Sequence, residues 1–328
     1  MGLFFLCYSI VTMDKNLALE FVRVTEAAAV AAAKWMGRGD KIAADKAAVD
    51  AMRKYFQYVE FSGQIVIGEG EKDEAPELYI GEKLGTEAGP DLDIAVDPLE
   101  CTNSVANGTP NAISVIATGE RGSLFHAPDM YMNKIACGPL AKGRIDLDAP
   151  VEENLKNVAK ALEKEVSELV VVVLGRPRHE QLIEEIRQAG ARVRLITDGD
   201  VAGAIAPSLP DSGIDLLMGI GASAEGVLAA VAIKALGGEL QCRLAPKDDK
   251  QRQRIIKMNI TDPDKKLLIE DLAKGDKLSF TATGVIDGPL LRGVRYTADY
   301  VITYSVVIRV MSGTVRFIET HHKLPAYT

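Results

Sequence analysis

Apolar residues near the start of the chain recur at helical spacing. The period runs from residue 14 to residue 36 in an alanine-rich background, which predicts one long, well-buried helix. Gly37-Arg38-Gly39 ends it, and the same period returns from residue 42 to residue 58. We therefore expect two consecutive helices, with Asp45 in the first turns of the second. Taken alone, Asp45 is more typical of a solvated acid favoured by the helix dipole.

Short apolar runs in the first half predict strands at residues 64–67, 94–96, 112–117 and 131–136. The run at 94–96 is flanked by carboxylates and predicts a buried strand that delivers Asp97 to its C-terminal edge. Pro98 removes an amide donor there and is expected to stop the ladder of hydrogen bonds. This half of the chain therefore predicts one layered α/β lobe.

A loop of interleaved glycines and acids, Gly68-Glu69-Gly70-Glu71, follows the first of these strands. Because glycine adopts backbone conformations closed to other residues, such a loop can bend around a small ligand. A hairpin-like surface turn has the same composition, so the loop alone does not identify a site.

Helical and strand patterns begin to alternate near residue 150. The helical stretches are 154–164, 179–188 and 224–236, and the apolar strand stretches are 169–174, 192–196, 214–219 and 240–244. Such alternation predicts a parallel sheet with ligands at the carboxyl ends of its strands. Residues 248–276 are charged and expected to form a connection. The tail is expected to form antiparallel strands at 278–283, 300–310 and 314–319.

Length and composition indicate an ordinary globular protein of two lobes. At 328 residues the chain exceeds the size at which one core usually keeps growing, and 47% of its residues are hydrophobic. The net charge of −8 argues against nucleic-acid and anionic-membrane partners. The four cysteines are widely spaced, without a C-x-x-C pair, which disfavours a zinc site and favours reduced thiols in the cytoplasm.

The first residues leave two interpretations open. The apolar run at residues 3–8 resembles the core of a signal peptide, but it lacks preceding basic residues and a small-residue cleavage site. It is also too short to span a bilayer. Met13 is an alternative natural start, in which case residues 1–12 are an upstream extension.

Carboxylates stand at the ends of several predicted elements. They are Asp45, Glu69, Asp97, Glu100 and Glu225. Hard divalent cations such as Mg²⁺ and Mn²⁺ prefer oxygen ligands, and two metals about 3.5–4 Å apart can clamp the attacking and leaving oxygens of a phosphate ester. Thr102 places a hydroxyl just after Asp97-Pro98-Leu99-Glu100. The pattern favours metal-dependent hydrolysis of a phosphate ester.

Several longer motifs follow one another from Met13 onward. They are Gly37-Arg38-Gly39-Asp40-Lys41 with Ala44-Asp45, Val66-Ile67-Gly68-Glu69-Gly70-Glu71 with Asp73-Glu74-Ala75-Pro76, Tyr79-Ile80-Gly81-Glu82, Asp93-Ile94-Ala95-Val96-Asp97-Pro98-Leu99-Glu100, Ala127-Pro128-Asp129-Met130-Tyr131-Met132, Arg176-Pro177-Arg178-His179, Asp198-Gly199-Asp200-Val201, and Gly219-Ile220-Gly221 with Glu225-Gly226. In this order they resemble the class II fructose-1,6-bisphosphatases, a family of the inositol-monophosphatase-like superfamily of sugar phosphatases.

The resemblance implies an α/β fold, a layered α-β-α-β-α sandwich with the site between two lobes. Residues 13–150 would form an N-terminal metal-binding lobe and residues 151–328 a C-terminal sugar-phosphate-binding lobe. The implied reaction is hydrolysis of the 1-phosphate of fructose 1,6-bisphosphate, and some members also accept sedoheptulose 1,7-bisphosphate. Two or more Mn²⁺ or Mg²⁺ ions are the implied cofactors. A small-molecule sugar bisphosphate is the expected partner, and a homo-oligomer, dimer or tetramer, is the expected assembly.

The resemblance also implies roles for individual residues. The metal ligands would be the carboxylates already collected, Asp45, Glu69, Asp97, Glu100 and Glu225. The catalytic positions would be Lys41, Asp73 and Thr102. The substrate contacts would be Glu100, Cys101, Thr102, Tyr131, Arg176, Arg178, His179, Asp198, Gly199, Asp200 and Ala222. The amides around Cys101 and Thr102 can donate hydrogen bonds to one phosphate, and the Arg178 guanidinium can donate two parallel hydrogen bonds to the other.

Two departures from the family pattern bear on function. Cys101 stands where the family has glycine, so its β-carbon is expected to obstruct a phosphate or strain the backbone. A sugar-phosphate-binding protein that no longer turns its ligand over is therefore one alternative. In the turn before Glu225, Ala222 and Ala224 replace the commoner glycine and proline.

A second alternative comes from this turn. Gly219-x-Gly221-x-x-Ala224 fits the dinucleotide fingerprint of a nucleotide-dependent oxidoreductase. Glu239 lies about the right distance downstream, but at the start of the next predicted strand, whereas a ribose-binding acid belongs at the strand's end.

Overall fold

The computed structural model describes residues 17–70, 77–258 and 260–324. Residues 1–12 and Asp73, for which the sequence supports predictions, lie outside these ranges. The helices are α1 Leu17–Ala33, α2 Lys41–Phe56, α3 Thr102–Asn107, α4 Val151–Ala161, α5 Glu180–Gln188, α6 Val201–Ile205, α7 Ser223–Leu236, α8 Asp249–Lys257 and α9 Ile269–Leu272. The strands are β1 Ser62–Ile67, β2 Lys83–Leu84, β3 Asp91–Glu100, β4 Ala112–Glu120, β5 Tyr131–Cys137, β6 Val170–Leu174, β7 Arg192–Ile196, β8 Leu216–Ala222, β9 Glu239–Leu244, β10 Leu267–Leu268, β11 Ser279–Ile286, β12 Arg295–Tyr296, β13 Tyr300–Arg309 and β14 Thr314–Lys323.

The two predicted N-terminal helices are confirmed as α1 and α2. Asp40 caps α2, because its carboxylate accepts a hydrogen bond from the Ala43 amide at 2.9 Å. Both helices pack on the first sheet through a cluster of phenylalanines. Phe21 meets Phe61 edge to face with ring centroids 5.3 Å apart, and Phe56 at 6.2 Å. The cluster fixes α2, and with it Asp45, against β3.

The first sheet has the order β12-β13-β11-β4-β3-β1-β2, with β14 paired to β13. The parallel pair is β1 with β3, and the other pairs are antiparallel. The expectation that Pro98 stops the ladder is wrong. The register of β3 on β4 shifts between Asp97 and Glu100, and pairing resumes at Glu100 opposite Ile113. The proline therefore sits in a β-bulge, a position that tolerates the missing amide.

The second sheet has the order β10-β9-β5-β8-β6-β7. The expectation of a parallel sheet holds for β7, β6 and β8 only. Strand β5 lies between β8 and β9 and is antiparallel to both, so the sheet is mixed. The expected connection at 248–276 also differs from the structure, since it contains α8, β10 and α9.

The elements stack in five layers, as the layered α-β-α-β-α expectation requires. Helices α1 and α2 cover the outer face of the first sheet. Helices α6 and α7 fill the space between the sheets, and α4 and α5 cover the outer face of the second. The central layer is the most apolar, with α7 buried along most of its length. A buried layer that contacts both sheets fixes their relative position.

Neither sheet is built from one side of residue 150 alone. Strand β5 belongs to the second sheet, while β11, β13 and β14 complete the first. The division into lobes at 13–150 and 151–328 stays a prediction. No described helix is long and apolar enough to cross a membrane.

Candidate active site

A cavity of about 480 Å³ opens where the ends of β1 and β3 meet the starts of α2, α3 and α7. Its lining includes Lys41, Asp45, Glu69, Asp97, Glu100, Cys101, Thr102, Asp198, Gly199 and Glu225. The structure thus brings all five carboxylates of the predicted metal site to one cavity, together with Lys41 and Thr102. Asp73 lies outside the described residues.

Two of the acids come from α2 and from the loop after β1. Asp45 lies in the second turn of α2, behind the Asp40 cap. Glu69 follows β1 in the glycine loop, and its amide donates to the Leu78 carbonyl at 3.0 Å. The Ile80 amide donates to the Gly70 carbonyl at 2.9 Å, so the two arms of the loop are joined beside Glu69.

The bulge in β3 presents Asp97 and Glu100 to the same cavity. In a regular strand, residues three apart point to opposite faces, and the extra residue of the bulge removes this alternation. The Leu99 amide donates to Asp97 Oδ1 at 3.1 Å, and the Val201 amide donates to Glu100 Oε1 at 3.3 Å. Each carboxylate is held by a backbone donor, one from β3 itself and one from α6.

Glu225 enters the cavity from the start of α7, the helix that follows β8 of the second sheet. It lies in the first turn of α7, and the Ala222 amide donates to its Oε2 atom at 2.7 Å. Ala222, a predicted substrate contact, is therefore the residue that leads β8 into α7.

Burial and mutual repulsion raise the pKa values of these acids. Burial, with a smaller contribution from Asp97, raises the pKa of Asp45 to about 6. The pKa of Glu69 rises to about 8, mainly through burial and then through Asp97 and Asp45. Burial likewise raises the pKa values of Asp97, Glu100 and Glu225. Acids that lie together without cations between them bind protons readily, and a divalent cation would replace those protons.

The donor set fits hard divalent cations, because every candidate ligand is a carboxylate. In residues 17–70, 77–258 and 260–324, no group of three or more His, Cys, Asp or Glu side chains is arranged to hold a metal ion as it stands. The fit is therefore in the type of ligand atom. The carboxylate oxygens come from several elements, face one cavity and repel one another.

Cys101 has the left-handed backbone expected of the glycine it replaces, with φ 75° and ψ 51°. A β-carbon is disfavoured in this region, so the backbone is strained there. The thiol is buried against the neighbouring loop: a β-carbon placed on Gly199 would lie 2.2 Å from Cys101 Sγ. Thr102 then starts α3 on the cavity wall, and Lys41 is exposed at the start of α2.

The loop Asp198-Gly199-Asp200 closes one side of the cavity. Asp198 accepts hydrogen bonds at 3.0 Å from both Arg176 Nη2 and Asn103 Nδ2. Asn111 donates to the Asp198 carbonyl at 3.2 Å. Arg176 is thus paired with Asp198, and both help to join the second sheet to the segment that carries Thr102.

Tyr131 lies beside two cations at the edge of the second sheet. Arg178 Cζ is 4.6 Å and Lys247 Nζ is 4.5 Å from the centroid of its ring. Arg178 also donates to the Ile220 carbonyl from Nε at 3.2 Å and Nη2 at 2.9 Å. Neither cation forms an ion pair with a described residue, so their charge is free to meet an anionic ligand.

His179 is placed differently from the other predicted substrate contacts. Its Nδ1 atom lies 2.7 Å from the Leu174 carbonyl, and the Ile220 amide donates to Nε2 at 2.7 Å. Burial lowers its pKa. Both ring nitrogens are therefore engaged by backbone, as a neutral imidazole with its proton on Nδ1 allows. The ring joins the ends of β6 and β8, and its role as a substrate contact stays a prediction.

Four functional candidates were not predicted from the sequence: Asn103, Asn111, Lys134 and Lys247. Lys134 lies in β5, where it binds Asp200 and Glu225. A lysine inside an apolar strand was a usable signal for a buried ion pair. Lys247 follows β9 in a charged stretch, where nothing distinguishes it from its neighbours.

The geometry of the turn after β8 opposes the dinucleotide alternative. The Glu225 carboxylate occupies the start of α7, where a pyrophosphate would bind. Glu239 is the first residue of β9, and its carboxylate accepts hydrogen bonds from Gly143 and Gln241. The Glu239 carboxylate is therefore hydrogen-bonded away from the turn and is not placed to bind a ribose there.

The chain is similar to known proteins over nearly its whole length. Residues 15–322 match the family described as bacterial fructose-1,6-bisphosphatase, glpX-encoded. The chain is 47% identical to the D-fructose 1,6-bisphosphatase class 2/sedoheptulose 1,7-bisphosphatase of Synechococcus sp. (strain JA-3-3Ab), over 94% of this chain and 96% of that protein. It is also 47% identical to the fructose-1,6-bisphosphatase class 2 of Haemophilus influenzae, over 95% of this chain and 97% of that protein. Because the match spans nearly the whole described chain, the protein belongs to the glpX-encoded family of bacterial fructose-1,6-bisphosphatases.

Proposed function

We propose that this chain hydrolyses the 1-phosphate of fructose 1,6-bisphosphate to fructose 6-phosphate and inorganic phosphate, with the help of divalent cations. The observation that carries the proposal is the convergence of five carboxylates and Thr102 on one cavity of about 480 Å³. The names of the relatives in Synechococcus and Haemophilus influenzae support the choice of substrate.

The residues that would hold the cations are Asp45, Glu69, Asp97, Glu100 and Glu225. Bound Mn²⁺ or Mg²⁺ would neutralise the charge of the transferring phosphoryl group and supply an activated water as nucleophile. The chain itself presents Thr102 beside the reacting phosphate, where its hydroxyl can orient water or bind a phosphate oxygen. Lys41, exposed at the mouth, places a positive charge near the same group. The water oxygen forms a bond to phosphorus while the bond between phosphorus and the sugar oxygen breaks. One proton of the water ends on the sugar oxygen, and inorganic phosphate is released.

The second phosphate of the substrate needs cations of its own. We assign this role to the group formed by Arg178, Tyr131 and Lys247, whose cations lie 4.6 and 4.5 Å from the tyrosine ring. Arg178 is pre-oriented by the Ile220 carbonyl, and charge-assisted bonds to phosphate are among the stronger hydrogen bonds in proteins.

The test is phosphate release from fructose 1,6-bisphosphate by the purified full-length chain, with Mn²⁺, with Mg²⁺ and with a chelator. We expect release with at least one cation and none with the chelator. If no divalent cation supports release although the protein binds the sugar phosphate, the alternative of a binding protein without turnover is correct. Reduction of a nicotinamide cofactor would support the oxidoreductase instead.

A second substrate is favoured by the name of the Synechococcus relative, which includes sedoheptulose 1,7-bisphosphatase. That sugar is one hydroxymethylene unit longer. A side-by-side assay of both sugar bisphosphates with each cation decides between one and two substrates. The expectations of a cytoplasmic location and of a dimer or tetramer stay predictions.

A further inference from the structure

Lys134 is a buried lysine at the inner end of the candidate site. It is 2% exposed, in the middle of β5. Its ammonium donates to both carboxylate oxygens of Asp200, at 2.7 and 2.9 Å, and to Glu225 Oε2 at 3.3 Å. All three protons of the ammonium therefore have acceptors.

These contacts hold Glu225 in one orientation. Its Oε2 atom accepts from both the Lys134 ammonium and the Ala222 amide, the latter at 2.7 Å. Two donors from different strands fix this oxygen, which leaves Oε1 for the cavity that Glu225 lines. Asp200 differs, because both of its oxygens are engaged by the lysine.

The backbone of β8 lies directly against both carboxylates. A β-carbon on Gly221 would lie 2.1 Å from Asp200 Oδ2 and 2.9 Å from Glu225 Oε2, so strand β8 packs directly against both. Asp200 also leads into α6, whose Val201 amide donates to Glu100 Oε1. The lysine therefore joins Glu225 of α7 to the start of α6, the helix whose first amide binds Glu100.

We propose that Lys134 is a positioning residue that fixes the Glu225 carboxylate for metal binding. The proposal rests on the proposed function, because it assumes that Glu225 is a ligand. Without the ammonium, two buried carboxylates would face each other with no cation between them. Their repulsion would then be unopposed, and Glu225 Oε2 would keep only the Ala222 amide to orient it.

The variant Lys134→Met tests this in the full-length chain. Mn²⁺ binding to metal-free protein is measured by titration calorimetry, beside phosphate release at increasing Mn²⁺. We expect Mn²⁺ affinity to fall roughly 10–100-fold, the range known for residues that orient metal ligands. The KM for fructose 1,6-bisphosphate at saturating Mn²⁺ is expected to change by less than about twofold, because both oxygens of Asp200 face the lysine and Asp200 is not among the residues that line the cavity.

The matched control is Lys234→Met. Lys234 lies on α7 like Glu225 and is engaged by Glu270 at 2.8 Å and by the Ala273 carbonyl at 3.0 Å, near the other end of the helix. Its loss removes a comparable lysine without touching the cavity, and Mn²⁺ affinity should stay that of the wild type. Lys134→Arg, which keeps the charge, should recover part of the affinity lost in Lys134→Met.

Since Lys134→Met leaves an excess of buried negative charge, Lys134→Met/Asp200→Asn is measured with it. This double variant removes one charge of each sign and is expected to fold, with Mn²⁺ affinity still below that of the wild type by roughly tenfold. Wild-type Mn²⁺ affinity in either folded variant overturns the inference alone. A wild-type chain that neither binds Mn²⁺ nor releases phosphate overturns the proposed function as well.

Discussion

At the residue scale, the site depends on acids that lie close together in a buried place. Asp97 contributes to the raised pKa values of Asp45, Glu69 and Glu100, so it interacts with three of the other four acids. Its loss should therefore remove the centre of the cation-binding surface.

We predict that Asp97→Asn and Glu100→Gln each lower kcat for phosphate release by at least about 100-fold, because an amide cannot replace a carboxylate as ligand to a hard cation. The metal-free variants should melt at or above the wild-type temperature, since each removes an acid whose burial and repulsion are unfavourable without a cation. The control is Asp50→Asn, which removes an exposed acid of α2 paired with Lys46 at 3.0 Å. Unchanged turnover in either site variant, with the control also unchanged, contradicts the metal assignment.

Cys101 permits a separate prediction, because its β-carbon and its thiol have opposite effects on the free energy of unfolding. In Cys101→Gly the left-handed backbone is relieved, which is worth about 1–2 kcal/mol, while the buried thiol and some unfolded-state rigidity are lost. We expect the free energy of unfolding to change by less than about 1 kcal/mol. Activity should be equal or higher, as measured by phosphate release.

Cys101→Ala separates the two contributions, because it keeps the β-carbon and removes only sulfur. It should be less stable than the wild type and no more active. A clear loss of activity in Cys101→Gly, with Cys101→Ala equally impaired, would mean that the thiol itself contributes to turnover.

At the element scale, the local patterns predicted most helices and strands. The apolar period of α1 and α2 and the β-branched run of β6 depend on neighbours in the sequence, so one chain suffices to find them. The bulge at Pro98 was not predicted, because it depends on the pairing of β3 with β4. Helix α8 was missed because its charged residues leave Ile255 as its one buried position.

The ends of several elements meet at Tyr131. This allows a test of the phosphate-binding group formed by Arg178, Tyr131 and Lys247. Tyr131 begins β5, Lys247 follows β9, and Arg178 precedes α5. We predict that Lys247→Met raises the KM for fructose 1,6-bisphosphate roughly 10–100-fold with little change in kcat, as expected for a charge-assisted contact of about 1.5–3 kcal/mol made to a phosphate that does not react.

The control for this measurement is Lys250→Met, an exposed lysine of α8 close by in the chain. It should leave both constants unchanged. Equal KM values for Lys247→Met and the wild type would exclude Lys247 from the substrate-binding group.

At the scale of the whole molecule, the sheets could not be predicted from the sequence. Strand β5 pairs with β8 and β9, whose paired residues lie at least 79 positions further along the chain, and β11 pairs with β4 across more than 150. Such pairings depend on which faces remain open after the local elements form, so a single sequence does not determine them. The candidate site was nevertheless largely predicted, because its acids lie in short motifs. Lys134 was not, since its partners Asp200 and Glu225 are distant in sequence.

The carboxylates also make the stability of the whole molecule depend on pH. The pKa of Glu69 is raised to about 8 in the folded chain, so the folded state holds a proton that the unfolded state has already released. Stability therefore falls as pH rises from the ordinary carboxylate range to about 8. Glu100 and Glu225 are shifted in the same direction. His179, with a lowered pKa, acts in the opposite sense, but only near and below its ordinary pKa of about 6.5.

We therefore predict that the metal-free chain melts at a lower temperature at about pH 8.5 than at about pH 7, a window above the titration of His179. Mn²⁺ should raise the melting temperature more at the higher pH, where fewer protons compete for the same oxygens. Binding in this window should release protons, which calorimetry detects as a heat that depends on the ionisation enthalpy of the buffer. Asp97→Asn should weaken both effects, because one of the repelling charges is then absent. A metal-free chain that is equally stable at both pH values, or a binding heat that is independent of the buffer, would show that these acids are already ionised when the cavity holds no cation.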